Sequence, residues 1–370
     1  MKKIISVLLC LIITLGCVTV ANAESENIIT GKLNVICCNV DGLPIPSFLS
    51  STKRPVLKAT RLLAQQINSA ECDILCAQED FNLHSVLEKN LDMEYSTITS
   101  GGAAVGDGLN IFSKFPIYNE GREAWKSAYG VFDCGSDELT PKGIQYCTVE
   151  IEKDVFVDVY NLHADAWEDE NSMDAKADQF DQLINLIEEH SGTDRAVILA
   201  GDFNTNYSVF RGGYQSGQYK VDLCQKLLDN FIGHGFKDAW VEINNGGNYD
   251  FTYGEMKARY GTEYPRNWDT LDHVYYRDGA GVSFKIEEAY YDDFSCNEIT
   301  WDGYLSDHAA LRTVISYTVD TSKTTTAEKN VAVKDNQRHL IDACFTLCGT
   351  LLKIIFNLPS LFKNGIGWIK

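Results

Sequence analysis

Residues 196–204 read AVILAGDFN. The apolar run Ala196–Ala200 is followed by Gly201-Asp202-Phe203-Asn204, a turn-forming group that carries oxygen donors. A short apolar run bounded by turn residues reads as a buried strand, so this one delivers a carboxylate and an amide to its end. The same construction recurs on both sides. Upstream, Val155–Leu162 ends in His163-Ala164-Asp165, Ile74–Ala77 in Gln78-Glu79-Asp80, and Leu33–Cys38 in Asn39-Val40-Asp41-Gly42-Leu43. Downstream, Leu271–Tyr275 begins with Asp272-His273 close behind its first residue, and Ser306-Asp307-His308 stands just before Ala309–Ser316. Further strands are predicted at Leu109–Phe112 and Thr148–Glu150, and helices at Val56–Ser69, Ala175–His190 and Val221–His234. No internal repeat is present. Many strands with a few helices predict an α/β sandwich of two packed sheets with helices outside, in one domain.

In a sandwich, strand ends at one rim converge, so these polar groups are expected to line one cleft. Carboxylates and amides are hard oxygen ligands that suit Mg²⁺, Mn²⁺ or Ca²⁺ rather than zinc. The histidines and the Asp-x-Asn unit add proton transfer and water positioning. No Ser or Cys sits in a recognisable nucleophile elbow. The chemistry that fits is hydrolysis of a phosphate ester by metal-activated water.

Taken together, N-V-D-G-L, Q-E, N-L-H, G-D-F-N, L-D-H and S-D-H resemble the motif set of the endonuclease/exonuclease/phosphatase superfamily, the deoxyribonuclease-I-like fold, from about Leu33 to Ser316. Gly108–Pro116 (GLNIFSKFP) and Lys142-Gly143 before a strand support the match. The chain is also similar to secreted members with Q-E-D-F-N, G-D-G-L-N, L-T-P-K-G and Y-N-L-H-A-D-A segments. The resemblance implies a four-layer sandwich of two mixed sheets flanked by helices. It implies Glu79 as principal metal ligand, with Asn39, Asp41 and Asp307 in or near the metal shell. Asp202 would orient or deprotonate the attacking water and Asn204 would help place it. His308, held by Asp272, would stabilise charge on the phosphate. His163 would face the phosphoryl group or leaving oxygen, with Asp107 as its candidate partner. His273 reads as structural, and Asp80 and Asp165 as supporting or solvated acids.

The 370 residues carry 32 basic and 52 acidic side chains, a formal charge of −20. Nucleic-acid affinity rests largely on Lys and Arg neutralising phosphates, so an electrostatic grip on nucleic acid is disfavoured. The charge is uneven. Met1–Ala23 reads as a secretory leader, with Lys2 and Lys3, an apolar stretch from Ile4 to Gly16, and Ala21-Asn22-Ala23 for cleavage after Ala23. Residues 24–319 form the catalytic domain and bear the acidity. Residues 320–337 read as a linker, and 338–370 as an amphipathic tail with Arg338, Lys353, Lys363 and Lys370 against Asp342. A secreted or cell-surface, monomeric protein is expected. An exported chain is free to form disulfides; Cys134 and Cys147 are the first candidate pair, and Cys72 and Cys76 read equally as buried thiols.

The expected function is a secreted divalent-metal-dependent phosphodiesterase, first of sphingomyelinase type acting on phospholipid at a membrane surface. The alternatives are an extracellular nuclease, an inositol-phosphate-type phosphatase, or a surface adhesin that retains the fold. Specificity would lie in loops such as Arg122–Pro141 and Tyr207–Tyr219, which carry no readable pattern.

Overall fold

The computed structural model describes residues 27–42, 55–81, 83–100, 106–130, 137, 141–210, 218–261, 266, 268–279, 281–298 and 303–325. The leader 1–23, the linker beyond residue 325, the tail 338–370 and Cys134 lie outside the described residues. Cys147 is a free, buried thiol, as are Cys72 and Cys76. No helix among the described residues is long and apolar enough to cross a membrane.

One sheet contains β1 (Ile28–Asn39), β2 (Ile74–Gln78), β3 (Tyr95–Ser96), β4 (Asn110–Ser113), β11 (Val282–Asp292) and β12 (Ala310–Asp320), in the order β11-β12-β1-β2-β4-β3. The other contains β5 (Ile117–Ala124), β6 (Gly143–Glu152), β7 (Val155–His163), β8 (Val197–Asp202), β9 (Lys237–Asp238) and β10 (Asp272–Arg277), in the order β5-β6-β7-β8-β10-β9. Both are mixed: β1–β2 and β7–β8 run parallel, whereas β1–β12 and β8–β10 run antiparallel.

Strand periodicity explains the layers. Successive side chains face opposite sides of a sheet. Leu33, Val35 and Cys37 of β1, with Ile74 and Cys76 of β2, enter the core between the sheets, against Val157, Val159 and Ile198. The alternate residues Ile36, Cys38, Leu75 and Ala77 turn outward, where α1 (Val56–Ser69) covers them with Ala59, Leu63, Ala64 and Ile67, joined by Leu87 of α2 (His84–Asn90). The second sheet is covered by α3 (Glu170–His190), through Phe180, Leu183, Ile184 and Ile187, and by α5 (Gln218–Phe231), through Leu223, Leu227 and Phe231. Three short helices, α4 (Tyr207–Phe210), α6 (Ala239–Asn245) and α7 (Tyr253–Tyr260), complete the chain. The order helix, sheet, sheet, helix is the four-layer sandwich expected from the sequence.

Helix α3 begins directly after its N-cap Asp169, whose carboxylate accepts the Asn171 and Ser172 N–H groups, each at 3.2 Å, and satisfies donors that a helix start leaves open. The two sheets are pinned by buried amides. Gln78 Nε2 donates to Asn161 Oδ1 at 2.7 Å, and Asn161 Nδ2 donates to the Ala77 carbonyl at 2.9 Å. These bonds fix the two rims relative to each other, because losing one partner strands a desolvated polar group at a cost of about 1–3 kcal/mol.

Candidate active site

Register places the polar strand ends side by side. Asn39 pairs with Gln78 across β1–β2, His163 with Asp202 across β7–β8, and Asp272 with Asp202 across β8–β10. Three residues at these ends hold left-handed backbone: Asp41 (φ 44°), Glu79 (φ 55°) and Asn204 (φ 47°). Such conformations cost about 1–3 kcal/mol each and persist where surrounding contacts enforce them. Gly42 shows one such contact: its N–H donates to the Glu79 carbonyl at 3.0 Å, and a Cβ there would lie 2.5 Å from that oxygen.

Asn39 links the two halves of the cleft. Its Nδ2 donates to Glu79 Oε1 at 3.0 Å and to Asp202 Oδ2 at 3.1 Å, and its Oδ1 accepts the Asp41 N–H at 3.1 Å. Burial and then the charge of Asp307 raise the Glu79 carboxyl above its ordinary value. Asp307 itself is exposed at the rim, where Arg266 Nη1 holds its carbonyl at 2.5 Å. Ser306 Oγ donates to the Asn39 carbonyl at 2.6 Å and ties this loop to β1.

Asp202 sits at the centre. Burial opposes its ionisation, but His308, His163 and Lys142, with the Asn204 N–H at 2.9 Å, hold its pKa below the ordinary value. His163 Nε2 lies 3.3 Å from Asp202 Oδ2, close but without hydrogen-bond geometry. Burial and the nearby Lys142 push His163 down to about 3, so the ring is neutral. Its Nδ1 is buried without a hydrogen-bond partner among the described residues. His308 is the opposite case. Burial disfavours its charge, but Asp272 and Asp202 overcome that and raise it well above the ordinary value. Its Nδ1 lies 2.8 Å from Asp272 Oδ2, and its Nε2 lies 3.7 Å from Asp202 Oδ2. Thus one histidine is neutral and one is an imidazolium, in the same cleft.

Asn39, Glu79, His163, Asp202, Asn204, Asp272 and His308 come together as a connected set, with Asp41 joined through its backbone and Asp307 at the rim. Asp107 does not pair with His163. Arg122 Nη1 holds both Asp107 oxygens, at 2.8 and 2.7 Å, and the Leu109 N–H donates to Oδ1 at 2.9 Å, so this carboxylate is already saturated. Asp80 is buried and accepts from Asn110 Nδ2 at 2.9 Å, with His84 Nδ1 2.6 Å away. Asp165 accepts the Tyr129 N–H at 2.8 Å; burial and the adjacent Asp137 push it up to about 8. His273 contacts Asp238 Oδ2 and the Thr205 carbonyl, both at 2.7 Å, one on each ring nitrogen. Two acceptors require two N–H groups, so His273 is a protonated brace behind the site.

Several supporting residues carry no signal of their own in the sequence. Lys142 pairs with Asp137 at 2.5 Å and donates to the Ala164 carbonyl at 3.3 Å, which places a cation beside His163 and Asp202. Buried Lys176 on α3 donates to the carbonyls of Trp167 and Asn204 at 2.6 and 2.9 Å. The Trp125 indole donates to the His163 carbonyl at 2.6 Å. Of these, only Lys142 fell in a motif, the L-T-P-K-G segment.

The model of the endonuclease/exonuclease/phosphatase family matches residues 36–308. The chain belongs to that family. Sphingomyelinases of Mycobacterium bovis and Mycobacterium tuberculosis are 30% identical to it over 277 residues, covering 72% of this chain and 49% of theirs. The chain thus spans about half the length of the curated relatives it matches. Among solved structures, sphingomyelinase C from Streptomyces griseocarneus aligns with a TM-score of 0.51 at 18% identity, over 77% of this chain and 99% of that one. A humanized D. rerio TDP2 aligns with a TM-score of 0.52 at 14% identity, over 77% and 98%. These likenesses show the shared deoxyribonuclease-I-like fold of the family.

Proposed function

We propose that this family member is a secreted, divalent-metal-dependent phosphodiesterase of sphingomyelinase type. The observation that carries the chemistry is the Asp272–His308–Asp202–His163 row closed by Asn39 and Glu79. The mycobacterial relatives support the lipid-headgroup reading over a nucleic-acid one, as does the net charge of −20.

The residues present fit a hard cation. Glu79, Asn39, Asp41 and Asp307 offer oxygen ligands, and the charge of Asp307 raises Glu79, a repulsion that a bound cation would relieve. The carboxylate of Asp202 and the imidazole of His308 also lie close to Asp272, their ligand atoms within 4.8 Å of one another, but hydrogen bonding already accounts for that group. Bound at Glu79, Mg²⁺, Mn²⁺ or Ca²⁺ supplies a Lewis acid for a phosphoryl oxygen.

The chain's own groups divide the remaining work. Asp202, ionised and fixed by Asn39 and Asn204, orients the attacking water and accepts its proton. His163, its Nε2 3.3 Å from Asp202 Oδ2, faces the phosphoryl group or leaving oxygen beside the base. His308 presents its charged Nε2–H to a phosphoryl oxygen as negative charge develops, and Asp272 fixes its tautomer and orientation. Screening residues 24–370 with Mg²⁺, Mn²⁺ and Ca²⁺ against sphingomyelin, phosphatidylinositol, DNA and an aryl phosphodiester tests the reading. Sphingomyelin is expected to be cleaved fastest; preferential cleavage of DNA would replace the lipid reading with a nuclease.

A further inference from the structure

Trp167 lies between His163 and α3 and has no role in the chemistry above. It is 60% exposed, the highest value among the exposed large apolar side chains of the described residues, and its backbone is left-handed at φ 68°. For a bulky residue that conformation is a true outlier. Its neighbours are all fastened. The Ala164 N–H donates to the Asp202 carbonyl at 2.8 Å, Asp165 N–H to Gln179 Oε1 at 2.9 Å, and Ala166 N–H to Asp137 Oδ2 at 2.9 Å. Glu168 pairs with Lys220, and Asp169 caps α3. The Trp167 carbonyl accepts from Lys176 Nζ, the same ammonium that holds the Asn204 carbonyl. A stiff frame tied to the catalytic strand ends therefore holds an indole out in solvent, where it gains nothing from core burial.

The exposed acids nearest to Trp167 in the sequence are Glu170 and Asp174; Glu168 pairs with Lys220, Asp169 caps α3, and Asp165 is buried and pushed up to about 8. An aromatic face attracts a quaternary ammonium through its quadrupole, by about 0.5–1 kcal/mol when exposed and about 2 kcal/mol when desolvated.

We propose that Trp167 is a specificity-determining residue that receives the quaternary ammonium of a choline headgroup while the phosphate lies against His308 and Asp202. The inference deepens the sphingomyelinase-type reading and rests on it. The test measures kcat/KM of the full chain with Mg²⁺ on p-nitrophenyl phosphorylcholine, which is soluble and carries a quaternary ammonium, and on bis(p-nitrophenyl) phosphate, which carries none. In Trp167→Ala the ratio of the two values is expected to fall about 3- to 30-fold, and in Trp167→Phe by less. Tetramethylammonium should inhibit the wild type more strongly than Trp167→Ala. An unchanged ratio overturns the proposal. So does a loss confined to sphingomyelin vesicles, which would make Trp167 a membrane anchor. A wild type that cleaves the aryl diester but not the choline ester overturns the substrate reading itself, and is distinguishable because it needs no variant.

Discussion

Replacing Asp272 with Asn keeps the shape of the site and removes one charge from a buried ion pair. Asp272 Oδ2 lies 2.8 Å from His308 Nδ1, and Asp272 Oδ1 has no hydrogen-bond partner among the described residues. The same Oδ2 also accepts a long bond from Thr270 Oγ1 at 3.5 Å, so the histidine is its principal partner. A hydrogen bond to a charged group contributes about 1.5–3 kcal/mol, which corresponds to about 10- to 150-fold in kcat/KM if His308⁺ acts in the transition state. The pH dependence carries the sign. His308 is raised above the ordinary histidine value by Asp272 and Asp202 against its burial. Its charged form thus persists through neutral pH and is lost only as pH rises through that elevated value. Asp272→Asn should move the alkaline limb of kcat/KM downward, so the loss of activity deepens with pH. Steady-state hydrolysis of a soluble phosphodiester from pH 5 to 10, with NMR titration of the His308 ring, measures both effects. An unshifted His308 titration with a uniform loss at all pH values would refute the ionic role of Asp272.

Other perturbations separate chemistry from architecture. Glu79→Gln should abolish the dependence of turnover on added Mg²⁺ and lower kcat by more than about 100-fold, read by metal titration after chelation. Asp107→Asn should lower stability by about 1–3 kcal/mol through the Arg122 contacts, in denaturant unfolding, while leaving the pH profile unchanged. Burial pushes Lys176 down to about 8, so the unfolded chain binds more protons than the folded one above that pH. Its contribution makes stability rise with pH between about 8 and 10, by up to about 1.4 kcal/mol per pH unit. Lys176→Met should remove that rise in pH-dependent unfolding and, by freeing the Asn204 carbonyl, lower kcat more than it changes KM.

The parts of the fold that were legible share a cause. Central strands such as Val197–Asp202 are apolar on both faces and end abruptly in Gly-Asp-Phe-Asn, so pattern and punctuation agree. Helix α1 matches its predicted span, Val56–Ser69. Edge strands were missed for physical reasons. β5 is largely half-exposed and polar (IYNEGREA), and β11 alternates faithfully only until the register shifts between Ile286 and Glu288. A period-2 signal does not survive such a shift.

The site was legible where chemistry sits at strand ends and illegible where it depends on distant partners. Asn39, Glu79, Asp202, Asp272 and His308 converge because register forces them together. The Asp107–His163 pairing failed because nothing near Asp107 announces that Arg122 will fold back onto it. Lys176 and the Gln78–Asn161 tie were equally silent, since a lysine on a helix and an amide in a strand become informative only once burial is known.

The central claim is that a metal held at Glu79 and the Asp202–His308 pair together cleave a choline phospholipid. It is tested most directly by phosphocholine release from sphingomyelin vesicles, using the metal-stripped full chain, a Mg²⁺ titration, and Glu79→Gln and His308→Ala in parallel. Saturable, Mg²⁺-restored release in the wild type, and loss of at least about 100-fold in both variants, is the expected result. Release that persists without metal, or survives intact in His308→Ala, would contradict it.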